Sequence, residues 1–387
     1  MTDMRETFPI NKFKELRTPF YFYDTALLKQ TLNAAKSAAD RYGYHLHYAV
    51  KANANPRILS FIRNAGFGAD CVSGGEIQAT LGAGFPSDKI VFAGVGKADW
   101  ELELGLDNNI ACFNVESLPE LQVMNELAGA RGKTASVALR INPEIDAHTH
   151  QHITTGMKEN KFGINLGQLD EILRLLPHLP AIKLSGMHFH IGSQITNMDA
   201  FRSLCLRANE IQEKLTGKGI ILRHVNFGGG LGIDYEHPDA HPIPNFEQYF
   251  ALFHQYFKAL PGQQIHFEPG RSITGRCGTL ISRVLYVKKG TEKQFVILDA
   301  GFTELLRPAL YQAYHKIENL TSDEAPETYD IVGPICESSD YFAKDTAIGK
   351  AHRGDLIAIR SAGAYGEVMA SQYNCRQLPQ SYFSDTI

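Results

Sequence analysis

Residues 45–64, HLHYAVKANANPRILSFIRN, contain the unit whose repetition decides the fold. A short apolar run, His45–Lys51, is followed by a helical pattern over Pro56–Asn64. This alternation continues from about residue 45 to residue 270 and predicts eight strands. Those after the first are Gly68–Ser73, Ile90–Gly94, Ala111–Val115, Ser136–Asn142, Lys183–His190, Arg223–Phe227 and Gln264–Glu268.

Amphipathic stretches lie between the predicted strands. The clearest, after Pro56–Asn64, are Gly75–Leu81, Ser117–Leu127, Leu169–Leu176, Ala200–Leu215 and Phe246–Leu260. Strands that alternate with helices are parallel and are joined by crossovers. Eight such units in a little over 200 residues predict a (β/α)8 barrel. An open doubly wound sheet is the alternative that the same pattern allows.

The composition and periodicity of the sequence change after Pro269. Helical periodicity fades, and runs typical of β-strands dominate, as in Thr279–Val287, Gln294–Leu298, Thr328–Val332 and Asp355–Ile359. This predicts a second, mostly β domain, which the early strand Phe20–Tyr23 could join. The predicted bounds are residues 24–268 for the barrel, and residues 1–23 with 269–387 for the β-domain.

Composition excludes several classes of protein. The chain has 387 residues, 21% of them charged, and a net charge of −4, so it offers no basic surface for nucleic acid. We find no run apolar enough to span a membrane and no signal peptide in MTDMRETFPINKF. Six scattered cysteines without a C-x-x-C pair indicate free thiols in a reducing cytoplasm rather than disulfides or a zinc ribbon.

Chemically reactive side chains gather where the predicted strands end. In a barrel of this type the active site lies at the carboxyl ends of the strands. A barrel needs no such residues for its packing, so together they predict an active site. They are Lys51, Asp70, Arg140 with Asn142, His188 with His190 and Ser193, Gly228–Gly230, and Glu268-Pro269-Gly270-Arg271.

The combination of these groups suits pyridoxal phosphate. Lys51, partly buried, can become a neutral amine that attacks an aldehyde. The triple glycine Gly228–Gly230 lets backbone N–H groups approach a phosphate, for which Ser193 and Arg271 are further partners. Glu268 can keep the pyridine nitrogen protonated, and His190 can stack on the ring. For the glycines alone, a flexible turn is the alternative reading.

A metal site is the competing hypothesis. His188 and His190 alternate along one strand and therefore face the same side. The segment Asp146-Ala-His-Thr-His-Gln-His152 adds further ligand types. In barrel metallohydrolases, however, such a histidine pair belongs on the first strand, where this chain has a lysine. We therefore expect no metal.

Six motifs in order carry a resemblance to a known family. YAVKAN, HFHIGSQ, GGGLGI, EPGRSI, CESSD and GAYG resemble the fold-type III pyridoxal-phosphate decarboxylases, over nearly the whole chain. The resemblance implies a (β/α)8 barrel followed by a β-domain that the N-terminal strand joins. It also implies an obligate homodimer whose active sites are shared between the subunits.

The resemblance also assigns roles to residues. It implies that Lys51 binds the cofactor covalently, that His190 stacks on its ring and that Glu268 pairs with its nitrogen. Cys336 becomes the candidate proton donor, acting from the partner subunit together with Glu337. The other residues implied near cofactor or substrate are Asp70, Arg140, Ser193, Gly228, Gly229, Gly230, Pro269, Gly270, Arg271 and Tyr365.

The substrate is inferred from Arg307-Pro-Ala-Leu-Tyr311. This segment resembles the site for the distal carboxylate in family members that convert meso-2,6-diaminopimelate to L-lysine and CO2, the last step of lysine biosynthesis. Arg271 and Arg307 could clamp that carboxylate with support from Tyr311, and Glu337 could receive the distal ammonium. Without the resemblance, Arg307 could be a surface arginine before a proline.

Two other functions stay open at this point. One is decarboxylation of a related substrate such as carboxynorspermidine, ornithine or lysine in polyamine biosynthesis. The other is a silent homologue that binds and regulates a true decarboxylase. Such homologues tend to lose the lysine, the phosphate ligands or the cysteine, all of which are present here.

Overall fold

The structure, a computed structural model, describes residues 8–145 and 161–387. Its strands are β1 (Phe20–Tyr23), β2 (His45–Ala49), β3 (Gly68–Cys71), β4 (Ile90–Phe92), β5 (Cys112–Val115), β6 (Ala135–Asn142), β7 (Ile164–Asn165), β8 (Ile182–His188), β9 (His224–Asn226), β10 (Gln264–Phe267), β11 (Gly278–Lys289), β12 (Gln294–Leu298), β13 (Ile317–Asn319), β14 (Pro326–Val332), β15 (Tyr341–Gly349), β16 (Leu356–Ile359) and β17 (Gln380–Phe383).

The helices lie between these strands along the chain. They are α1 (Ile10–Glu15), α2 (Thr25–Asp40), α3 (Pro56–Asn64), α4 (Gly74–Gly82), α5 (Asp99–Asp107), α6 (Leu118–Ala130), α7 (Leu169–Leu175), α8 (Met198–Gly217), α9 (Phe246–Tyr256), α10 (Arg271–Thr274) and α11 (Arg307–Tyr311). None of the described helices is both long and apolar enough to cross a membrane.

The chain divides into two compact units. The barrel unit comprises Leu32–Gly232 and Asn245–Ile273. The β unit comprises the chain up to Thr31, Ile233–Pro244 and Thr274–Ile387. The domain bounds predicted from the sequence stay a prediction.

The barrel unit closes a parallel sheet on itself. Its strands follow the order β5-β4-β3-β2-β10-β9-β8-β6, and pairing of β5 with β6 completes the ring. Short β7 adds to β6 in parallel. The eight-stranded parallel barrel predicted from the alternation is therefore confirmed, and the open doubly wound sheet is excluded.

Local sequence signals start several barrel helices where they are seen. Asn55, Ser73 and Ser117 each accept a hydrogen bond from a backbone N–H of the following helix. These side-chain caps satisfy donors that the first helical turn leaves without a partner. A proline follows the cap in α3, where its missing N–H costs nothing.

The β unit is built on a mixed sheet. Its main path is β13-β16-β11-β12-β14-β15, and β1 pairs antiparallel with β11 and parallel with β17. The N-terminal strand thus joins the C-terminal sheet, as predicted. Phe13, Phe20 and Phe22 pack with Ile281 and Leu356 in the core beside it, so burial of aromatic side chains holds the two ends of the chain together.

Candidate functional site

A cavity of about 350 Å³ lies at the carboxyl ends of the barrel strands. We call it the barrel cavity. Six residues predicted from the sequence meet in its wall: Lys51, Asp70, Arg140, His188, His190 and Glu268. The remaining lining residues are Val72, Ala93, Gly94, Val95, Gly96 and Phe162. The rule that chemistry gathers at the strand ends therefore predicted most of the charged side chains here.

Lys51 lies in a short turn rather than in the strand. Strand β2 ends at Ala49, and Val50–Ala52 form one turn of 3-10 helix, closed by a 3.0 Å bond from the Asn53 N–H to the Val50 carbonyl. The predicted strand was two residues too long because the apolar run continues into this turn. Val50 and Ala52 are fully buried, and they fix the backbone that carries the lysine into the cavity.

Glu268 is held by three side chains. Its Oε2 accepts a 2.9 Å hydrogen bond from His188 Nε2, and its Oε1 accepts one from Asn226 Nδ2 at 2.7 Å. A longer contact of 3.5 Å comes from Asn114 Nδ2. Burial acts to raise the pKa of Glu268, but the hydrogen-bonded His188 and the charge of Lys51 outweigh it and lower the pKa. Glu268 is therefore a fixed carboxylate.

The pKa of Asp70 is shifted in the opposite direction from that of Glu268. Burial raises the pKa of Asp70 well above its usual value, and the negative charge of Glu268 adds to this effect. Its Oδ1 is buried and has no hydrogen-bond partner among the described residues. Two carboxyl groups in one cavity thus favour different protonation states, which is typical of functional sites.

His190 is a neutral ring. Burial lowers the pKa of His190 well below its usual value, and the cations Lys51 and Arg140 lower it further. Its Nδ1 accepts a 3.3 Å hydrogen bond from the Gly229 N–H. This bond fixes the orientation of the ring beside the glycine loop, and an uncharged imidazole can lie flat against another aromatic ring.

Packing explains the glycines of the loop Gly228–Gly230, in addition to the predicted binding of phosphate. A Cβ on Gly228 would lie 2.3 Å from the Phe189 carbonyl oxygen, and one on Gly229 would lie 2.3 Å from that of Glu268. The Gly228 N–H donates to Asn226 Oδ1 at 2.9 Å. Side chains are thus excluded because three strand ends converge here, and binding of phosphate by the loop stays a prediction.

Two further predicted residues contact each other near this loop. Arg271, at the start of α10, donates from Nη2 to Ser193 Oγ at 3.0 Å. Pro269 accepts a 3.2 Å hydrogen bond from the Ala49 N–H, and Gly270 accepts one from the Ile273 N–H at 3.0 Å. A guanidinium and a hydroxyl side by side are suitable partners for an oxyanion.

Sequence reasoning missed Glu116, which holds Arg140. The Arg140 Nη1 lies 2.7 Å from Glu116 Oε1, and both side chains are buried. The backbone N–H groups of Gly94 and Gly163 also donate to this carboxylate. Burial acts to raise the pKa of Glu116, but Arg140 and Lys97 outweigh it and lower the pKa. Glu116 directly follows β5, so the strand-end rule could have found it.

The metal hypothesis receives no support from the described residues. Within residues 8–145 and 161–387, no three His, Cys, Asp or Glu side chains come together as a metal site. His188, half of the predicted pair, donates to Glu268 instead. The further candidates between Asp146 and His152 lie outside the described residues.

In the β unit, Arg307 is buried rather than a surface arginine. It is 6% exposed, and its Nη1 donates to Tyr235 Oη and to His315 Nε2, both at 2.9 Å. Its guanidinium also lies over the Tyr235 ring, 4.9 Å from the centroid. The His315 Nδ1 donates to the Arg360 carbonyl oxygen at 2.8 Å, so Nε2 is the nitrogen that accepts from Arg307. Tyr235 and His315 were not predicted.

The other predicted residues of the β unit are exposed or partly buried. Cys336 and Glu337 are exposed, and Glu337 accepts a 2.8 Å hydrogen bond from Tyr373 Oη. Tyr311 is partly buried at the end of α11. Tyr365 is also partly buried and has a φ of +56°, a conformation that costs a bulky residue energy. Such strain is often found at functional positions.

The barrel residues fit pyridoxal phosphate. The cavity offers a lysine amine, a neutral ring and a fixed carboxylate, which match an aldehyde, an aromatic ring and a protonated ring nitrogen. The buried Asp70 Oδ1 is a further polar atom that the described protein leaves unsatisfied. Ser193 and Arg271 supply oxyanion partners beside the glycine loop.

Comparison with known proteins agrees with this chemistry. Residues 26–275 match the family described as pyridoxal-dependent decarboxylase, pyridoxal binding domain. The barrel fold, the barrel cavity and this match together define a decarboxylase that uses pyridoxal phosphate.

Similar proteins show which family of pyridoxal-dependent decarboxylases the chain belongs to. The chain is 59% identical over 385 residues to the diaminopimelate decarboxylase of Bacteroides thetaiotaomicron, covering 99% of this chain and 100% of the relative. It is 42% identical over 378 residues to that of Neisseria meningitidis, covering 97% and 92%. The crystal structure of the Helicobacter pylori enzyme complexed with L-lysine superimposes with a TM-score of 0.91 at 41% identity, covering 97% and 93%. The chain belongs to the diaminopimelate decarboxylase family.

Proposed function

We propose that this protein removes one carboxylate from meso-2,6-diaminopimelate, giving L-lysine and CO2 in the last step of lysine biosynthesis. The observation that carries the proposal is the convergence of Lys51, His190 and Glu268 in one barrel cavity, in a chain 59% identical to a diaminopimelate decarboxylase. The enzyme is a carbon–carbon lyase.

The geometry supports the following residues as those that would hold pyridoxal phosphate. Lys51 would bind it through its amine, His190 would stack on its ring, and Ser193, Arg271 and the loop Gly228–Gly230 would receive the phosphate. Asp70 and Arg140 are further neighbours, and Tyr365 is proposed as a contact from the β unit. When bound, the cofactor supplies an electron sink for the pair of the broken carbon–carbon bond.

The protein's part in the reaction is to manage protons. Glu268 is an ionised carboxylate that would keep a proton on the ring nitrogen of the bound cofactor, and His188 and Asn226 hold Glu268 in place. The bond from the α-carbon to one carboxylate breaks, CO2 leaves, and one proton takes its place on the same carbon. We assign this proton delivery to Cys336, an exposed thiol, acting from the second subunit of a homodimer.

Arg307 supports the choice of substrate. Its guanidinium is buried and fixed by Tyr235 and His315, so a substrate without a distal carboxylate would leave a desolvated positive charge poorly satisfied. We assign the distal carboxylate to Arg307, Arg271 and Tyr311, and the distal ammonium to Glu337. The proposed location is the cytoplasm.

The test is CO2 release by purified protein supplied with pyridoxal phosphate. Meso-diaminopimelate, L-lysine, L-ornithine and carboxynorspermidine are offered separately, with Lys51→Ala as the blank and Lys288→Ala, an exposed lysine outside the barrel cavity, as the matched control. We expect release from diaminopimelate alone, with L-lysine as product. Release from a polyamine precursor, or from Lys51→Ala at the wild-type rate, would contradict the proposal.

A further inference from the structure

A second cavity, of about 960 Å³, lies at the other end of the barrel. We call it the mouth cavity, because residues at or near the starts of the strands line it, among them His45, Gly68, Cys112 and Gln264. The proposed reaction uses none of these four residues, although Asn226, which holds Glu268, also lines this cavity. Its volume is in the range of pockets that hold whole metabolites.

Four histidines line the mouth cavity. His47 Nε2 lies 2.8 Å from His266 Nδ1, and the ring of His266 also contacts those of His45 and His224, with centroids 4.8 and 5.2 Å away. Polar side chains lie among them, including Ser136 and Ser185, whose hydroxyl oxygens are 2.9 Å apart. Branched apolar side chains usually dominate the interior of a (β/α)8 barrel, and these polar side chains depart from that pattern.

The hydrogen bonds fix which ring nitrogens carry protons. His47 Nδ1 must donate to the Lys89 carbonyl oxygen 3.1 Å away, so in the neutral ring Nε2 accepts from His266 Nδ1. His266 Nε2 then carries a lone pair. That nitrogen is buried and has no hydrogen-bond partner among the described residues. A ligand with a hydrogen to donate, or a proton, would satisfy it.

The rings are neutral at neutral pH. Burial lowers the pKa of His47 and of His224 to about 4, and burial lowers that of His266 well below its usual value. Each ring is therefore a hydrogen-bonding group that repels no incoming cation or anion. The charge at this end of the barrel comes from other side chains.

Those other side chains make the mouth electropositive. Four basic residues and two carboxylates line it: Lys36, Lys89, Lys183 and Arg223, with Asp40 and Asp88. Asp40 is already paired with Lys36. Lys183 and Arg223 are exposed and form no ion pair with any described residue. Clustered positive charge at the entrance of a cavity attracts anions.

We propose that the mouth cavity is a second binding site, for a small metabolite with an oxyanion group. Lys183 and Arg223 attract the anion, and the interior hydrogen-bonds the rest of the ligand, with His266 Nε2 accepting from it. A metal ion fits less well, because no three ligating side chains converge among the described residues. The oxyanion can be a phosphate or a carboxylate.

Calorimetric titration of the holoenzyme with inorganic phosphate and, separately, with citrate tests the proposal. Bound cofactor keeps added phosphate out of the barrel cavity. We expect saturable binding of at least one anion at one site per chain. Phosphate alone would identify a phosphorylated ligand, citrate alone a carboxylated one, and both an oxyanion site in general. Saturable binding of neither would overturn the proposal.

Two sets of variants locate the binding. Lys183→Ala with Arg223→Ala should weaken it about fivefold or more, whereas Lys288→Ala with Lys289→Ala, an equal loss of charge on the β unit, should not. Equal effects of the two pairs would contradict the assignment. His266→Phe keeps an aromatic ring but removes Nε2 and should weaken binding as well; unchanged affinity in the folded variant would also overturn it.

Discussion

Glu268 shows how one carboxylate is kept ionised inside a barrel. Burial alone would raise its pKa, and the hydrogen bond from His188 is a main reason for the opposite outcome. We assign His188 no contact with the cofactor: it lines the barrel cavity, and its Nε2 donates to Glu268. Its effect on activity should therefore pass through the protonation state of Glu268.

This gives a prediction about pH. A carboxylate with a lowered pKa is ionised above that pKa, and its negative charge is lost as the pH falls through that value. Replacing His188 removes a stabilising partner and raises the pKa of Glu268, so the acid limb of kcat/KM in His188→Asn should move to higher pH.

The matched control for this prediction is His178→Asn, a histidine beyond the end of α7 and outside the barrel cavity. Its pH profile should equal that of the wild type. A His188→Asn enzyme that loses activity by the same factor at every pH would show that His188 acts by packing alone.

Arg307 gives a prediction about specificity. Arg307→Ala should lower kcat/KM for meso-diaminopimelate by a factor on the order of 10² to 10⁴, because the charged partner of the distal carboxylate is lost. Any residual turnover of L-lysine, which lacks that carboxylate, should change far less. Equal losses on both substrates would remove Arg307 from the specificity argument.

At the scale of elements, the two ends of the chain stabilise each other. Strand β17 pairs with β1 in parallel, and the Phe383 ring stacks on Tyr23 with centroids 5.3 Å apart. Phe383 is 6% exposed. A strand of four residues close to a chain end depends on such side-chain contacts, since its backbone bonds alone give little net stability.

We therefore expect Phe383→Ala to cost about 3 kcal/mol of unfolding free energy, the effect of removing a buried aromatic ring. Urea denaturation at fixed protein concentration measures the loss. Leu378→Ala, at a residue that is 54% exposed just before β17, is the matched control and should change little. A loss as small as that of the control would mean that β17 contributes little.

The secondary-structure elements also show which parts of the fold could be predicted from the sequence and which could not. The eight barrel strands could be predicted because apolar runs and helical periods alternate within short stretches of chain. Strand β15, YFAKDTAIG, has little β character of its own and follows β14 in an antiparallel pair with irregular register. Its structure depends on that pairing, which no local pattern contains.

The site has the same limit. Lys51, Asp70 and Glu268 end strands or follow them, so their position in the chain indicated their convergence. Tyr235 and His315 belong to no motif, and they reach Arg307 only through the fold of the β unit. The sequence shows which residues are reactive, whereas the partners that hold them depend on tertiary contacts.

At the scale of the whole molecule, we propose that the site is complete only in a dimer. Under this proposal, Lys51 and Cys336 are each required and come from different subunits of one site. A mixture of Lys51→Ala and Cys336→Ala dimers, dissociated and reassociated, would form hybrids that carry one intact site.

Random reassociation should restore about one quarter of the wild-type activity, because half of the dimers are hybrids and each has one of two sites intact. Light scattering checks the dimer mass, and each variant reassociated with itself is the control. No recovery in a mixture of folded dimers would place both residues in a site made by one chain.

The mouth cavity carries one further consequence, for the mutations that can accumulate together. The His224 ring lies flat over Gly186 of the neighbouring strand, and a Cβ at residue 186 would come within 2.3 to 2.6 Å of three of its ring atoms. Alanine at residue 186 therefore requires the His224 ring to move aside or a smaller residue at position 224. A descendant lineage that keeps this histidine in its present position keeps the glycine with it, so the two residues should be lost together.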